Sequence, residues 1–317
     1  MAHMDRLSPK GRAGSSGRRL PTEKRFARRK GKWHRVVCPV VKRTASHGCP
    51  ILMQTGPNME TQPTPPSGHA QTYRQNQAYT HVLEGWNPAF YAKYASVLAA
   101  VGPGKSVLDV GCGVGKVLER LQQAGCDAWG VDVSETSIAR AREICPNVQV
   151  YPGRRLPFPD RQFAAGGAVN VLEHVEEPEV FIAELVRVVQ TGGRIVLSSP
   201  NFLRFFGPGY HPRMIGLRNK WANYRQLAAI RRQIGVNPSA VRFQRMPPII
   251  RPEFHPDDDA IIATNPMEMT HFLRLNGCDI ERVECTDRVV NPVLDFLLNA
   301  TPLRYGMFNT FIVARRR

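Results

Sequence analysis

VLDVGCGVGK, residues 107–116, sets a short apolar strand directly against three alternate glycines and then a helix. Val107, Leu108 and Val110 read as a strand buried on both faces, and VLERLQQAG, residues 117–125, carries the apolar spacing of a helix. Gly111, Gly113 and Gly115 therefore occupy the turn. Glycine tolerates positive φ and has no Cβ, so backbone can approach a ligand closely where the free N–H groups of a helix start point outward. The stretch predicts a cradle for a small anionic or nucleoside ligand.

The glycine order is GxGxG, with Lys116 where a dinucleotide fingerprint needs a glycine or alanine. The next strand, within AWGVDVS (residues 128–134), ends in Asp132, at the place of a ribose-binding carboxylate in a doubly wound sheet. Beyond it the patterns predict strands at 148–151, 164–170 and 193–199, alternating with helices at 135–144 and 178–190. Such a sheet puts Asp109, Asp132, the loop after Val150 and Asn170 beside one crevice at the strands' carboxyl ends.

From Tyr79 to Arg315 the chain resembles the class I S-adenosylmethionine (SAM)-dependent methyltransferases, methyltransferase type 11 subgroup. The resemblance rests on VLDVGCGVGK, GVDVS, LPFPDRQF (156–163), NVLEHV (170–175) and GGRIVLSSPN (192–201), in that order. It implies a Rossmann-like α/β fold: a doubly wound, mostly parallel seven-stranded sheet with an antiparallel C-terminal hairpin, here with a helical insertion. It also implies SAM as cofactor, held by Asp109, Gly111, Cys112, Gly113, Gly115, Asp132, Val133 and Asn170. The third motif departs from the pattern. Relatives often carry an acid before LPFPD for the adenine, whereas this loop reads YPGRRLPFPD, so Arg154, Leu156 or the loop backbone takes that place. FAAGG also lacks the Asp that usually follows the Phe.

The net charge of +17 is unevenly distributed. Residues 1–52 hold fourteen Lys and Arg against two acids, +12 of the total. Rich in Arg, Gly and Ser and without apolar period, this tail is expected to be disordered. A transit peptide, a nucleic-acid-binding arm and an overextended reading frame starting at Met53 or Met59 all fit it. A Pro/Gly-rich linker follows, so residues 1–72 divide from an expected methyltransferase domain at 73–317. Seven scattered cysteines, without CxxC or zinc spacing, point to a reducing compartment and to no metal. No apolar run is long enough to span a membrane. A cytoplasmic location is expected, or an organelle matrix if the tail is a transit peptide.

A sulfonium donor needs an acceptor held in line, water excluded and, for an oxygen or nitrogen acceptor, a proton removed. His174 stands where a general base belongs; the structural alternative, that Glu173 and His174 cap and orient the following helix, reads ahead of it. Tyr73 and Tyr79 are candidates to cover the pocket, and Tyr79, His211 and His255 to face the acceptor. The insertion, residues 202–263, contains the basic amphipathic stretch NKWANYRQLAAIRRQIG, with Trp221, Tyr224, Leu227 and Ile230 spaced for one packing face. Such a helix serves as a lid, recruits an anionic acceptor or rests on a membrane surface. The expected activity is methyl transfer to a small-molecule, glycan or lipid-precursor acceptor. The alternatives are an RNA methyltransferase using the tail and a binding protein that keeps the fold without catalysis.

Overall fold

Ser106–Val110 (β1) is buried from Val107 onward, and its side chains alternate between two cores. Val107 joins the cluster built on Tyr94, Leu98, Leu118 and Leu121, while Leu108 and Val110 join the opposite one, with Phe181, Ile182, Leu185 and Phe272. This two-sided burial is what a parallel strand covered by helices on both faces requires. A computed structural model describes residues 73–74, 77–85, 89–249, 257–286 and 291–317. The basic tail and the linker lie outside the described residues.

The sheet continues with Asp127–Asp132 (β2), Val148–Val150 (β3), Phe163–Val169 (β4), Val189–Pro200 (β5), Cys278–Glu284 (β6) and Asn309–Arg316 (β7), in the spatial order β3-β2-β1-β4-β5-β7-β6. β3 to β5 pair in parallel, and β7 is antiparallel to both β5 and β6. The fold is the seven-stranded, mostly parallel Rossmann-like sheet expected. Its topological switch lies between β1 and β4, where open α/β sheets bind ligands.

Helices Gln77–Gly85 (α1) and Ala89–Ala99 (α2) precede the sheet; Lys116–Gln123 (α3), Glu135–Ala141 (α4) and Pro178–Val188 (α5) join its strands. α5 ends two residues earlier than the periodicity predicts, because Val189 is extended and pairs with Phe163 to begin β5. α4 is also shorter than expected. It starts at a Ser134 cap that accepts from the Ser137 N–H, 3.2 Å. Gly167 in β4 gives room to a buried tyrosine. A Cβ there would stand 2.7 Å from the Tyr94 hydroxyl, which passes over this glycine to reach Asp109.

The insertion contributes Leu217–Val236 (α6), and Pro266–Leu275 (α7) and Pro292–Asn299 (α8) flank β6. α6 packs through Asn223, Leu227 and Ile230 against Phe202, Leu203, Met214 and Met246. The packing face predicted from Trp221, Tyr224, Leu227 and Ile230 is therefore corrected: Trp221 and Tyr224 turn outward, 63 % and 47 % exposed. Asn223 takes the inward position because its amide donates to three carbonyls, those of Phe202, Arg204 and Arg213. A polar residue thus sets the helix's rotation. α8 has no counterpart in the sequence reading. Its start is fixed by Asn291, which accepts from the Val293 and Leu294 N–H groups. Among the described residues, no helix is long and apolar enough to cross a membrane.

Candidate active site

The turn after β1 is knitted to β2 by two hydrogen bonds, from the Gly111 and Cys112 N–H groups to the Val131 carbonyl at 2.8 and 3.1 Å. Gly111 has φ +77°, and a Cβ there would fall 2.2 Å from Val171 Cγ2, so both conformation and space demand glycine. Asp132, at the end of β2, grips the same turn. One carboxylate oxygen accepts from the Gly113 N–H at 2.9 Å, the other from the Ser134 N–H at 2.8 Å. Burial raises its carboxyl above the usual range while these N–H donors pull it back. A pocket opens over the turn, lined among others by Asp109, Gly111, Cys112, Gly113, Asp132, Val133, Tyr151 and Asn170.

Asp109 forms part of the floor. Burial pushes its carboxyl up to about 7, against the lowering effect of the Tyr94 hydroxyl that donates to it at 2.8 Å. Burial likewise pushes the Cys112 thiol well above its ordinary range, which makes it a packed small side chain and not a nucleophile. Asn170 sits at φ +53°, and its Oδ1 is buried without a hydrogen-bond partner. A buried orphan acceptor in a pocket wall costs free energy unless a ligand donor meets it. The site fits SAM on these grounds. Asp132 offers carboxylate oxygens to ribose hydroxyls, Asn170 Oδ1 and Asp109 offer acceptors to an ammonium group, and the glycine turn leaves room for the backbone to approach.

At the other end of the pocket, a 3₁₀ turn at Leu172–His174 follows β4. Glu173 turns inward, fully buried, with Oε2 accepting from Ser199 Oγ at 2.8 Å. Its main-chain carbonyl accepts from the Ile261 and Ile262 N–H groups, which ties the end of the insertion to the site. Burial raises the Glu173 carboxyl to about 7. His174 faces the pocket with Tyr73, Asp257 and Asp259. Its Nδ1 lies 3.2 Å from the Tyr73 hydroxyl and 3.6 Å from Asp259 Oδ1, while Nε2 faces Glu173 Oε1 across 3.9 Å. Tyr73 in turn donates to Asp259. Burial alone would depress the imidazole; the carboxylates of Asp259, Glu173 and Asp257 outweigh it and hold the ring above its ordinary value. The capping alternative for this pair is replaced, since α5 has Glu177 at its N-cap and no side-chain cap. Glu173, His174 and Asp257 also bring one ligand atom each within 4.8 Å of one another. The same arrangement serves equally to hold a protonated imidazole.

Other candidates fall elsewhere. Gly115 is the left-handed N-cap of α3 and shapes the turn without lining the pocket. Arg154 points to Glu177, its guanidinium 3.0 Å from the carboxylate. Leu156 is buried in the core, and its N–H donates to Glu184. His211 is buried against Phe202 and accepts from the Arg213 N–H, so it braces the insertion instead of facing an acceptor. His255 and the Tyr79 side chain lie outside the described residues. Pocket residues not among the sequence candidates include Tyr91, Tyr151, Val171, Asp257 and Asp259. Three consecutive acids in HPDDD were the available signal for the last two.

Comparison with known proteins bears on this site. The family model described as "Methyltransferase domain" matches residues 108–197. The ubiquinone biosynthesis O-methyltransferase of Bordetella avium is 31 % identical over 170 residues, covering 48 % of this chain and 70 % of the relative. The demethylmenaquinone methyltransferase of Tropheryma whipplei is 33 % identical over 147 residues, 43 % of this chain and 61 % of the relative. The chain thus spans about three fifths of the length of the demethylmenaquinone methyltransferases it matches. A solved SAM-dependent methyltransferase from Mesorhizobium loti, 19 % identical, covers 72 % of this chain and 98 % of its own, with a TM-score of 0.47. The matched residues contain the glycine turn, Asp132 and the His174 turn, and on them the chain belongs to the class I SAM-dependent methyltransferases of the type 11 kind.

Proposed function

We propose that the protein methylates a hydroxyl group of a neutral small molecule, with His174 as the general base. The observation that carries this reading is the imidazole held at the pocket wall between Glu173 and Asp259. With the Tyr73 hydroxyl donating to Asp259, Nδ1 is the donor in its contact with Tyr73. To act as the base, the neutral ring keeps its proton on Nε2, on the side of the buried Glu173 carboxyl, and turns the Nδ1 lone pair to the acceptor. An acceptor hydroxyl taking the place of the Tyr73 contact gives its proton to Nδ1. The flanking carboxylates then stabilise the imidazolium. When bound, SAM supplies a methyl group already activated on a sulfonium centre.

The acceptor's charge follows from the lining. Among the described pocket residues the titratable groups near His174 are carboxylates and tyrosine, and Lys116 at the start of α3 is the sole basic side chain besides His174. An anionic acceptor would meet repulsion there. This argues against recruitment of a phosphorylated acceptor by the arginines of α6, which lie outside the pocket. Among the relatives, the ubiquinone biosynthesis O-methyltransferase names an oxygen acceptor and the 2-methyl-6-phytyl-1,4-hydroquinone methyltransferase a hydroquinone, and these names favour a quinol.

Labelled SAM incubated with hydroquinones, amines and sugar phosphates tests the reading. Methylation of the hydroquinones is expected, with a rate that rises with pH through a pKa above the ordinary imidazole value, because the base must be neutral. His174→Gln is expected to lose about 10²–10⁴ in turnover and to keep S-adenosylhomocysteine affinity. Full turnover in that variant would remove His174 as the base, and methylation confined to amines or phosphates would remove the hydroxyl acceptor.

A further inference from the structure

The outward turn of Trp221 and Tyr224 leaves a surface that the methyl-transfer site does not use. Leu217 is 87 % exposed on the same side of α6. At 100° per residue, Leu217, Trp221 and Ala228 share a narrow stripe turned away from the packed Asn223, Leu227 and Ile230. The aromatics are fixed in place: Trp221 stacks on Tyr224 with ring centres 5.5 Å apart, and Tyr224 meets Phe205 edge-on at 5.3 Å. Around the stripe stand Arg218, Lys220, Arg225, Arg231 and Arg232, and the helix contains no acid. Among the described residues, Arg218, Arg225, Arg231 and Arg232 have no acidic partner.

A second apolar set lies on α8, where Val293, Leu294, Phe296 and Leu297 are all more than half exposed. Gly306, just beyond α8, joins this end of the chain to the insertion, since its carbonyl accepts from the Phe205 and Phe206 N–H groups at 3.0 Å. Phe206 is itself exposed. The insertion also reaches the pocket, where the Tyr210 hydroxyl donates to Asp257 at 2.6 Å.

We propose that the outer face of α6 docks on an anionic phospholipid surface. An exposed stripe of Trp, Tyr and Leu edged by arginines without acidic partners matches a bilayer interface, where indole and phenol rings sit at headgroup depth and guanidinium groups meet phosphates. The charge pattern disfavours a second copy of the chain as occupant, because a symmetric contact would bring like-charged arginines together. Docking is independent of the acceptor's identity. Methylation of a water-soluble acceptor stays unchanged when the face is altered.

The test uses the full chain with vesicles of phosphatidylcholine, alone or mixed with phosphatidylglycerol, some carrying brominated acyl chains. Wild type is expected to partition about tenfold or more into the anionic vesicles, and the brominated chains to quench its tryptophan emission. Trp221→Phe is expected to keep binding and lose that quenching, and the double variant Leu217→Glu/Trp221→Glu to lower partition about tenfold with its melting temperature unchanged. Quenching that survives Trp221→Phe, or unchanged partition of the double variant, would assign binding to the basic tail and overturn the proposal. So would a dimer in sedimentation that Leu217→Glu/Trp221→Glu dissolves, which would make the face a contact between copies.

Discussion

Replacing Gly111 by alanine adds one methyl group at the centre of the cofactor turn. Two costs follow from its surroundings. Its φ of +77° is a conformation that costs an L-residue about 1–2 kcal/mol. The new Cβ also lands 2.2 Å from Val171 Cγ2 and 3.4 Å from Val171 Cβ. Val171 is stiff at χ1 and begins the turn that carries His174, so its adjustment adds about 1–3 kcal/mol. The sum, about 2–5 kcal/mol, lowers the melting temperature by roughly 4–20 °C for a domain of this size, and the altered turn weakens SAM binding. Val171→Ala on the Gly111→Ala background removes the overlapping methyl groups but leaves the φ cost. The pair is therefore expected to be about 1–3 kcal/mol more stable than the two single changes sum to. Chemical denaturation of the four proteins, with calorimetry of SAM binding, measures this. Gly111→Ala as stable as wild type, or strict additivity in the pair, would refute the steric reasoning.

Asp132→Ala leaves the Gly113 and Ser134 N–H groups without their acceptor, and calorimetry should show SAM binding weaker by about 1–3 kcal/mol. The Asp109 carboxyl titrates near 7 in the fold and near about 3.9 unfolded, so its ionisation opposes folding. Its contribution is full below about pH 4 and is lost as pH rises toward 7. Asp109→Asn, still able to accept from Tyr94, should flatten that fall in denaturation curves measured across the range without ligand. Arg187 clamps the loop before β4 through the Leu156 and Phe158 carbonyls, Asp160 and Glu184. Arg187→Lys cannot reproduce the fork and should cost about 1–3 kcal/mol on thermal or chemical unfolding.

The parts of the fold legible in the sequence share one property: local pattern and tertiary environment agree. VLDV is apolar on both faces because helices cover both faces, and the glycines that follow sit at φ values few other residues adopt. Arg154 and His211 were misplaced because a charged or aromatic side chain near a pocket in sequence can turn to a nearer partner, here Glu177 and the Arg213 N–H. Asp257 and Asp259 were passed over for the converse reason. They are remote in the chain, and the strap from Asp257 to Ala263 is fastened at the site by the Glu173 carbonyl.

The sequence by itself determined the alternation of strands and helices from β1 to β5, the glycine turn and the carboxylate at the end of β2, because each is written in residues adjacent along the chain. Only the tertiary structure decided what surrounds His174, which way α6 faces and where the acceptor end finds its charge. Those outcomes depend on hydrogen bonds between distant segments, such as Asn223 to the carbonyls of Phe202, Arg204 and Arg213, and such bonds leave no period or spacing in the chain.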